Sequence, residues 1–388
     1  MRPKLISSIL ALAAILPTAA STPQTQDVVA VEAGFAVEVD ALRREYGLPA
    51  LAGALIDRDG RIVLSGSAGL VATGSDTLVD GGSSWHLGSC TKAMTASLAA
   101  IDVAAGRLSW NSSPAAVLRG WGPVDDPLWR PDDSWGLVTL GQLLSHTGAA
   151  PTIDDLPLAW LAQVAHEGTP SDARRDLVRT LLSRPADLPS GEEFRYSNLG
   201  YAIVGAMLEE VGGRPFEQRL RGELFAPLGI TGGGFGPPQR DQDPIGHRLD
   251  GLEVDPVGRD RFADNPRSIA PAGTVHLPLA DWARFVGLHL RRGSGEGDPL
   301  VAESFSELHR PRLDNYALGW VVLDRPWSEG KVLHHAGSNT FWYASVWAAP
   351  SEGFAMIACT NVASEGARLA TDALIGRLLE ERGRVSRR

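Results

Sequence analysis

Runs of β-prone residues are confined to the two ends of this chain. Two sit near the start, Leu51 to Ile56 and Arg61 to Ser67, joined through Asp57-Arg58-Asp59-Gly60. Asp-Gly between such runs is a hairpin signal. Four more lie in the last hundred residues, at Ala317 to Leu323, Lys331 to His335, Trp342 to Ala348 and Phe354 to Thr360. An isolated hairpin is marginal, so the N-terminal pair needs partners from the far end of the chain. The expected fold class is α+β: one antiparallel sheet built from both chain ends and flanked by helices, with an inserted all-helical lobe.

Helical spacing of apolar residues predicts the flanking helices over residues 28 to 46 and Ala367 to Leu379. Thr91 to Arg107 is Ala-rich, free of proline and carries Gly106 near its end, which reads as a buried helix. From Leu108 to about Pro271, Trp, Pro and Gly separate short helical candidates at Thr139 to Ser145, Asp172 to Leu182, Leu199 to Val211 and Phe216 to Leu224. Gly232 to Asp264 reads as a long irregular loop region, and another helix is predicted from Leu279 to Leu290. The domain at residues 28–384 is therefore expected to have an α/β lobe of about 28–90 plus 272–384 and a helical lobe of about 108–271.

Hydrophobic residues at 44% and charged residues at 21% suit a globular chain, and 388 residues suffice for a large core. Residues 1–20 place Arg2 and Lys4 before an apolar run from Leu5 to Leu16, then Pro17 and small residues, the order of a secretory signal peptide with cleavage near Ala20. The run is too short for a bilayer, which takes about 20 residues, so no permanent membrane anchor is expected. No Cys follows it, which excludes lipid attachment there. The mature protein is expected to be exported, to the periplasm or beyond. The net charge of −10, or −12 without Arg2 and Lys4, argues against a nucleic-acid partner. Cys90 and Cys359 make no disulfide framework and read as two separate buried thiols.

Lysine is scarce: only Lys4, Lys92 and Lys331 occur. One of them stands in Ser89-Cys90-Thr91-Lys92, a serine with a lysine one helical turn further in. A serine nucleophile needs such a neighbouring base. The second S-x-x-K match, Ser328-Glu329-Gly330-Lys331, contains Gly and leads into a strand, so it reads as a turn with an ordinary surface lysine. Tyr196-Ser197-Asn198 precedes the Leu199 helix, where Asn198 suits either a helix cap or a cleft. Of three H-x-G matches, only His335-Ala336-Gly337 lies on a strand after Tyr196. His146-Thr147-Gly148 ends a helix and reads as structural, and His86-Leu87-Gly88 is given no role.

In this order and context, Ser89-x-x-Lys92, Tyr196-x-Asn198 and His335-x-Gly337 resemble the penicillin-recognising serine hydrolases. Within them the chain resembles the group of class C β-lactamases, D-alanyl-D-alanine carboxypeptidases and related esterases. Thr139 to Thr147, Pro271-Ala272-Gly273 and Tyr316 to Trp320 extend the likeness over roughly residues 30 to 380. The resemblance implies a β-lactamase-like fold and acyl transfer from a small-molecule or peptidoglycan-derived substrate, with no cofactor and no metal. It implies that Ser89 attacks a carbonyl and that Lys92 and Tyr196 move the proton. Asn198, His335, Gly337 and Ser338 would bind substrate, the last through its backbone N–H beside that of Ser89. In this role His335 would contact Tyr196 or a substrate carboxylate. His335 replaces the lysine usual in class C β-lactamases, which favours a carboxypeptidase or esterase. Two other readings compete: a non-catalytic penicillin- or peptidoglycan-binding scaffold, against which every motif residue is present, and a metal-dependent hydrolase using His334 and His335. That pair is a poor chelate, because neighbours on a strand point to opposite faces.

Overall fold

The computed structural model describes residues 23–122, 129–155, 162–187, 190–251, 253–293 and 299–385, so the leader expected at residues 1–20 lies outside the described residues. Helix α1 (Pro23–Glu45) leads into β1 (Ala50–Asp57) and β2 (Ile62–Gly69). The hairpin closes because Asp57 Oδ1 accepts the amides of Asp59 and Arg61 while Gly60 supplies a φ of +79°. The partners come from the other end: β8 (Val321–Leu323), β9 (Val332–Ser338), β10 (Tyr343–Ala349) and β11 (Phe354–Thr360). Together they form an antiparallel six-stranded sheet in the order β2-β1-β11-β10-β9-β8.

Both faces of this sheet are covered. On β1, Ala52, Ala54 and Ile56 face the side covered by helix α6 (Leu279–Gly293), in one core with the buried, Ala-rich helix α2 (Thr91–Ala104). The alternate residues Leu51 and Leu55 pack with α1 and the C-terminal helix α8 (Glu365–Val385). Strand β11 divides in the same way, with Ile357 and Cys359 on one side and Met356 and Ala358 on the other. This explains why the strands read as unbroken apolar runs. Gly53 marks a close approach, since a Cβ there would stand 2.7 Å from Leu374 of α8.

Helices α3 (Leu140–Leu144), α4 (Pro170–Leu182) and α5 (Asn198–Gly212) lie between the sheet-forming ends in sequence. Helix α3 begins with a capping box in which Thr139 and Gln142 satisfy each other's amides. Helices α6 (Leu279–Gly293) and α7 (Pro299–Leu308) return the chain toward the sheet.

Two expectations need correction, and one pair of strands was not expected. The strand expected from Ala317 begins only at Val321, because Ala317 to Trp320 form a turn with Gly319 at φ +81°, pressed against Ala93 of α2. The stretch Gly232 to Asp264 is not wholly irregular: it holds β4 (Gly234–Phe235), β5 (His247–Asp250) and β6 (Glu253–Pro256). The pair β3 (Ser84–His86) and β7 (Val275–Pro278), too short to stand out in sequence, joins β4 in a separate three-stranded sheet. Strand β3 delivers the chain to Ser89.

Candidate active site

Ser89 is half-buried on a 3₁₀ turn, Gly88–Cys90, that precedes α2. The spacing of three still brings Lys92 beneath it, with Nζ 3.1 Å from Ser89 Oγ. Lys92 is fully buried. Its Nζ also donates to Asn198 Oδ1 at 2.7 Å and to the Ala272 carbonyl at 2.8 Å. Burial drives the Lys92 pKa well below the ordinary lysine range, opposed in part by Cys90.

The contact count gives that shift a chemical meaning. A neutral amine has two N–H donors and one lone pair. Two of its three neighbours are carbonyl oxygens that can only accept, so they take both donors. The lone pair is left facing the Ser89 hydroxyl.

Tyr196 lies over the same amine, with Nζ 4.7 Å from its ring centre. Burial pushes its phenol above the usual tyrosine range, while a hydrogen bond with Ser89 pulls the other way. The residue is 38% exposed, so solvent moderates that shift. Both directions favour a neutral amine beside a protonated phenol.

Asn198 is not the cap of α5. Ser197 takes that role, its Oγ accepting from the Gly200 amide, which leaves the Asn198 side chain to Lys92. Nor is His146 remote from the chemistry. Its ring centre lies 4.2 Å from that of Tyr196, and its Nδ1 accepts the Ser197 amide, so it fixes the backbone between Tyr196 and Asn198. It takes a left-handed φ of +59°, uncommon for a residue with a side chain.

His335 is buried on β9 and meets neither Tyr196 nor open solvent. Its Nδ1 lies 2.6 Å from the Ala336 carbonyl and its Nε2 3.0 Å from the Tyr316 hydroxyl. Nδ1 must therefore carry the proton, and Nε2 accepts from Tyr316. Burial lowers its pKa to about 3, so the imidazole is neutral. Direct contact with a substrate carboxylate is corrected on this ground, because both ring nitrogens are engaged. The next residue along, His334, stacks on Trp347 with ring centres 3.9 Å apart and bonds the Val346 carbonyl, so the two histidines diverge. Among the described residues no group of His, Cys, Asp or Glu is placed to hold a metal ion.

Gly337 and Ser338 end β9. Strand β8 pairs with β9 only from Val332 to His334, so the edge of residues 335–338 is left without a β8 neighbour. It lies against the Ser89 turn. A Cβ on Gly337 would stand 2.7 Å from the Ser89 nitrogen, and one on Gly88 would stand 2.3 Å from the Ser338 nitrogen. The backbone of the Ser89 turn and that of the strand end thus meet directly at Gly88 and Gly337.

Three residues beside this meeting point have no role in the sequence reading. His86, Asn339 and the Asp264 side chain are buried and converge behind the turn. A cavity of about 360 Å³ lies alongside, lined by Asp264, Asn265 and Thr274 among others, and Ser89 is not in its wall. Cys90 and Cys359 are buried free thiols. The decoy Lys331 is exposed and pairs with Asp324 at 2.8 Å.

Comparison with known proteins gives one consistent result. The Beta-lactamase family matches residues 35–380. Penicillin-binding protein 4 of Amycolatopsis lactamdurans is 28% identical over 338 residues, which cover 83% of each chain. A class C β-lactamase structure superposes with a TM-score of 0.70 at 16% identity, covering 91% of this chain and 97% of that one. The D-alanine carboxypeptidase AmpC of Burkholderia cenocepacia gives 0.67 at 19% identity, covering 91% and 99%. At such identities the superpositions speak for the fold alone.

Proposed function

The chain belongs to the beta-lactamase family, the serine hydrolases of penicillin-binding and β-lactamase type, and from that premise we propose an exported enzyme that forms an acyl-enzyme on Ser89. Its favoured substrates are peptide-like amides or esters rather than penicillins. The observation that carries the reading is the buried Lys92 amine, 3.1 Å from Ser89 Oγ, with its lone pair free for the serine proton.

In the forward step Ser89 Oγ attacks the carbonyl carbon and its proton passes to Lys92. The protonated Tyr196 phenol, at the open side, gives a proton to the leaving amine or alkoxide and recovers one from the lysine ammonium. The developing oxyanion takes hydrogen bonds from the Ser89 and Ser338 amides, held together by Gly88 and Gly337. Water then repeats the sequence on the acyl-enzyme, with the proton flow reversed. Asn198 holds the lysine and borders the substrate amide. His335 acts as a positioning residue through Tyr316. On this reading the cleft lies between an α/β lobe of about 28–90 plus 272–384 and a helical lobe of about 108–271.

The substrate preference follows from charge. The β9 edge carries a neutral, buried imidazole where a cation would hold a substrate carboxylate. Comparing kcat/KM for a nitrophenyl ester and for benzylpenicillin tests it. The ester is expected to turn over faster, with the penicillin acylating Ser89 and persisting; a far faster clearance of penicillin contradicts the preference.

A further inference from the structure

The described residues contain one buried carboxylate that reaches both halves of the proposed oxyanion site without belonging to any motif. Asp264 Oδ1 accepts from Asn339 Nδ2 at 2.8 Å, and Asn339 directly follows Ser338. Asn339 in turn fixes the chain beyond it, its Oδ1 accepting the amides of Phe341 and Trp342 at 3.2 Å. The same Asp264 oxygen lies 2.9 Å from His86 Nε2, off the axis of an ideal hydrogen bond. His86 Nδ1 accepts the Gly88 amide at 3.1 Å, so the imidazole proton sits on Nε2, toward the carboxylate. His86 also stacks on Trp342, with ring centres 5.3 Å apart.

From these contacts we infer that Asp264 is a positioning residue that sets the spacing of the Ser89 and Ser338 amides, through His86 and Gly88 on one side and Asn339 on the other. The inference rests on the serine-hydrolase reading of the same site. Its physical basis is the preorganisation an oxyanion site requires. Two N–H groups must stand at a fixed separation before charge develops, and neither backbone segment is pinned to the other by a shared β-ladder. The two segments meet backbone to backbone at Gly88 and Gly337, and the one side chain that joins them there, Cys90, gives only a weak thiol contact to the His335 carbonyl at 3.6 Å, so a tie from outside the contact adds to the setting of their separation. Asp264 is anchored for that task, its Oδ1 also accepting the Asn265 amide at 2.7 Å while Asn265 Nδ2 donates to the Gly273 carbonyl at 2.9 Å.

The test uses the full mature enzyme, a nitrophenyl ester as substrate and phenylboronic acid, which forms a tetrahedral adduct with an active serine. Asp264→Ala is expected to lower kcat about 10- to 100-fold, on the scale of an outer-shell contact, with KM moved less than about threefold. The Ki of the boronic acid should rise in parallel with the loss of kcat. A merely structural loss would lower the active fraction without weakening the boronate. Asp264→Asn keeps one oxygen for Asn339 and puts its amide nitrogen in the place of Oδ2, which makes no hydrogen bond, so it should restore most of kcat. Should Asp264→Ala fail to fold, Asn339→Ser removes one arm alone, and an unchanged kcat there overturns the inference. An active wild type with a dead Ser89→Ala, but an Asp264→Ala variant within twofold in kcat and in boronate Ki, also overturns it. A wild type that ignores both probes, or a Ser89→Ala that retains activity, strikes the serine-hydrolase reading instead.

Discussion

Gly337 and Gly88 approach so closely that neither position admits a side chain: a Cβ on Gly337 would stand 2.0 Å from the Leu87 carbonyl oxygen, and one on Gly88 would stand 2.7 Å from the Gly337 carbonyl carbon. Gly88 adds a φ of +50°, in the left-handed region. This contact places a strand end of the C-terminal half beside the turn that carries Ser89. Gly337→Ala must push the two backbones apart. The expected result is a loss of ~10²–10³ in kcat, the usual worth of one oxyanion donor. Steady-state kinetics on a nitrophenyl ester measures it, and activity within threefold of wild type would contradict it.

The two S-x-x-K lysines should behave in opposite ways. Lys92→Ala removes the proposed base and leaves Asn198 and the Ala272 carbonyl without their donor, so activity should fall nearly as far as in Ser89→Ala. Lys92→Arg should be equally inactive, because a guanidinium keeps its proton. Lys331→Ala removes only an exposed pair with Asp324 and should leave activity and melting temperature unchanged. Activity that required Lys331 and not Lys92 would relocate the nucleophile.

Much of the molecule was legible in sequence for physical reasons that can be named. Segregation of β-prone runs to the chain ends forces a shared sheet, and β11 was read at Phe354 to Thr360, the range it occupies. The three motifs announce themselves because their members are close in sequence: Ser89 and Lys92 share a turn, and Tyr196 and Asn198 flank one cap. Asp264, Asn339, His86 and Tyr316 act across 75 to 178 positions or through single contacts such as Tyr316 to His335, which leave no local pattern. Strands β3 and β4 are three and two residues long, too short for any periodicity to register. His146 looked structural because its sequence shows only a helix end, while its contact with Tyr196 arises from tertiary packing.

Acid should destabilise the fold before carboxylates titrate. Burial holds His335 at about 3 and His276, His309 and His334 at about 4, and it pushes His146, His247 and His289 down as well. In the unfolded chain these groups take protons below about pH 6.5. Between about pH 6.5 and 4 the unfolded state therefore binds more protons, so stability is full above that window and falls as pH drops through it. Thermal melts across pH 7.5 to 4 should show a steadily decreasing midpoint. A flat midpoint down to pH 4.5 would contradict the neutral, buried histidines.

The proposed covalent step is open to direct observation. Purified protein is incubated with benzylpenicillin or a slow nitrophenyl ester, quenched in acid, and weighed intact before digestion and peptide mapping. The expected result is a single acyl adduct on the peptide that carries Ser89, absent in Ser89→Ala, with ester hydrolysis abolished in that variant. Hydrolysis that survives Ser89→Ala, or an adduct mapped to another residue, would contradict the assignment of Ser89 as the nucleophile.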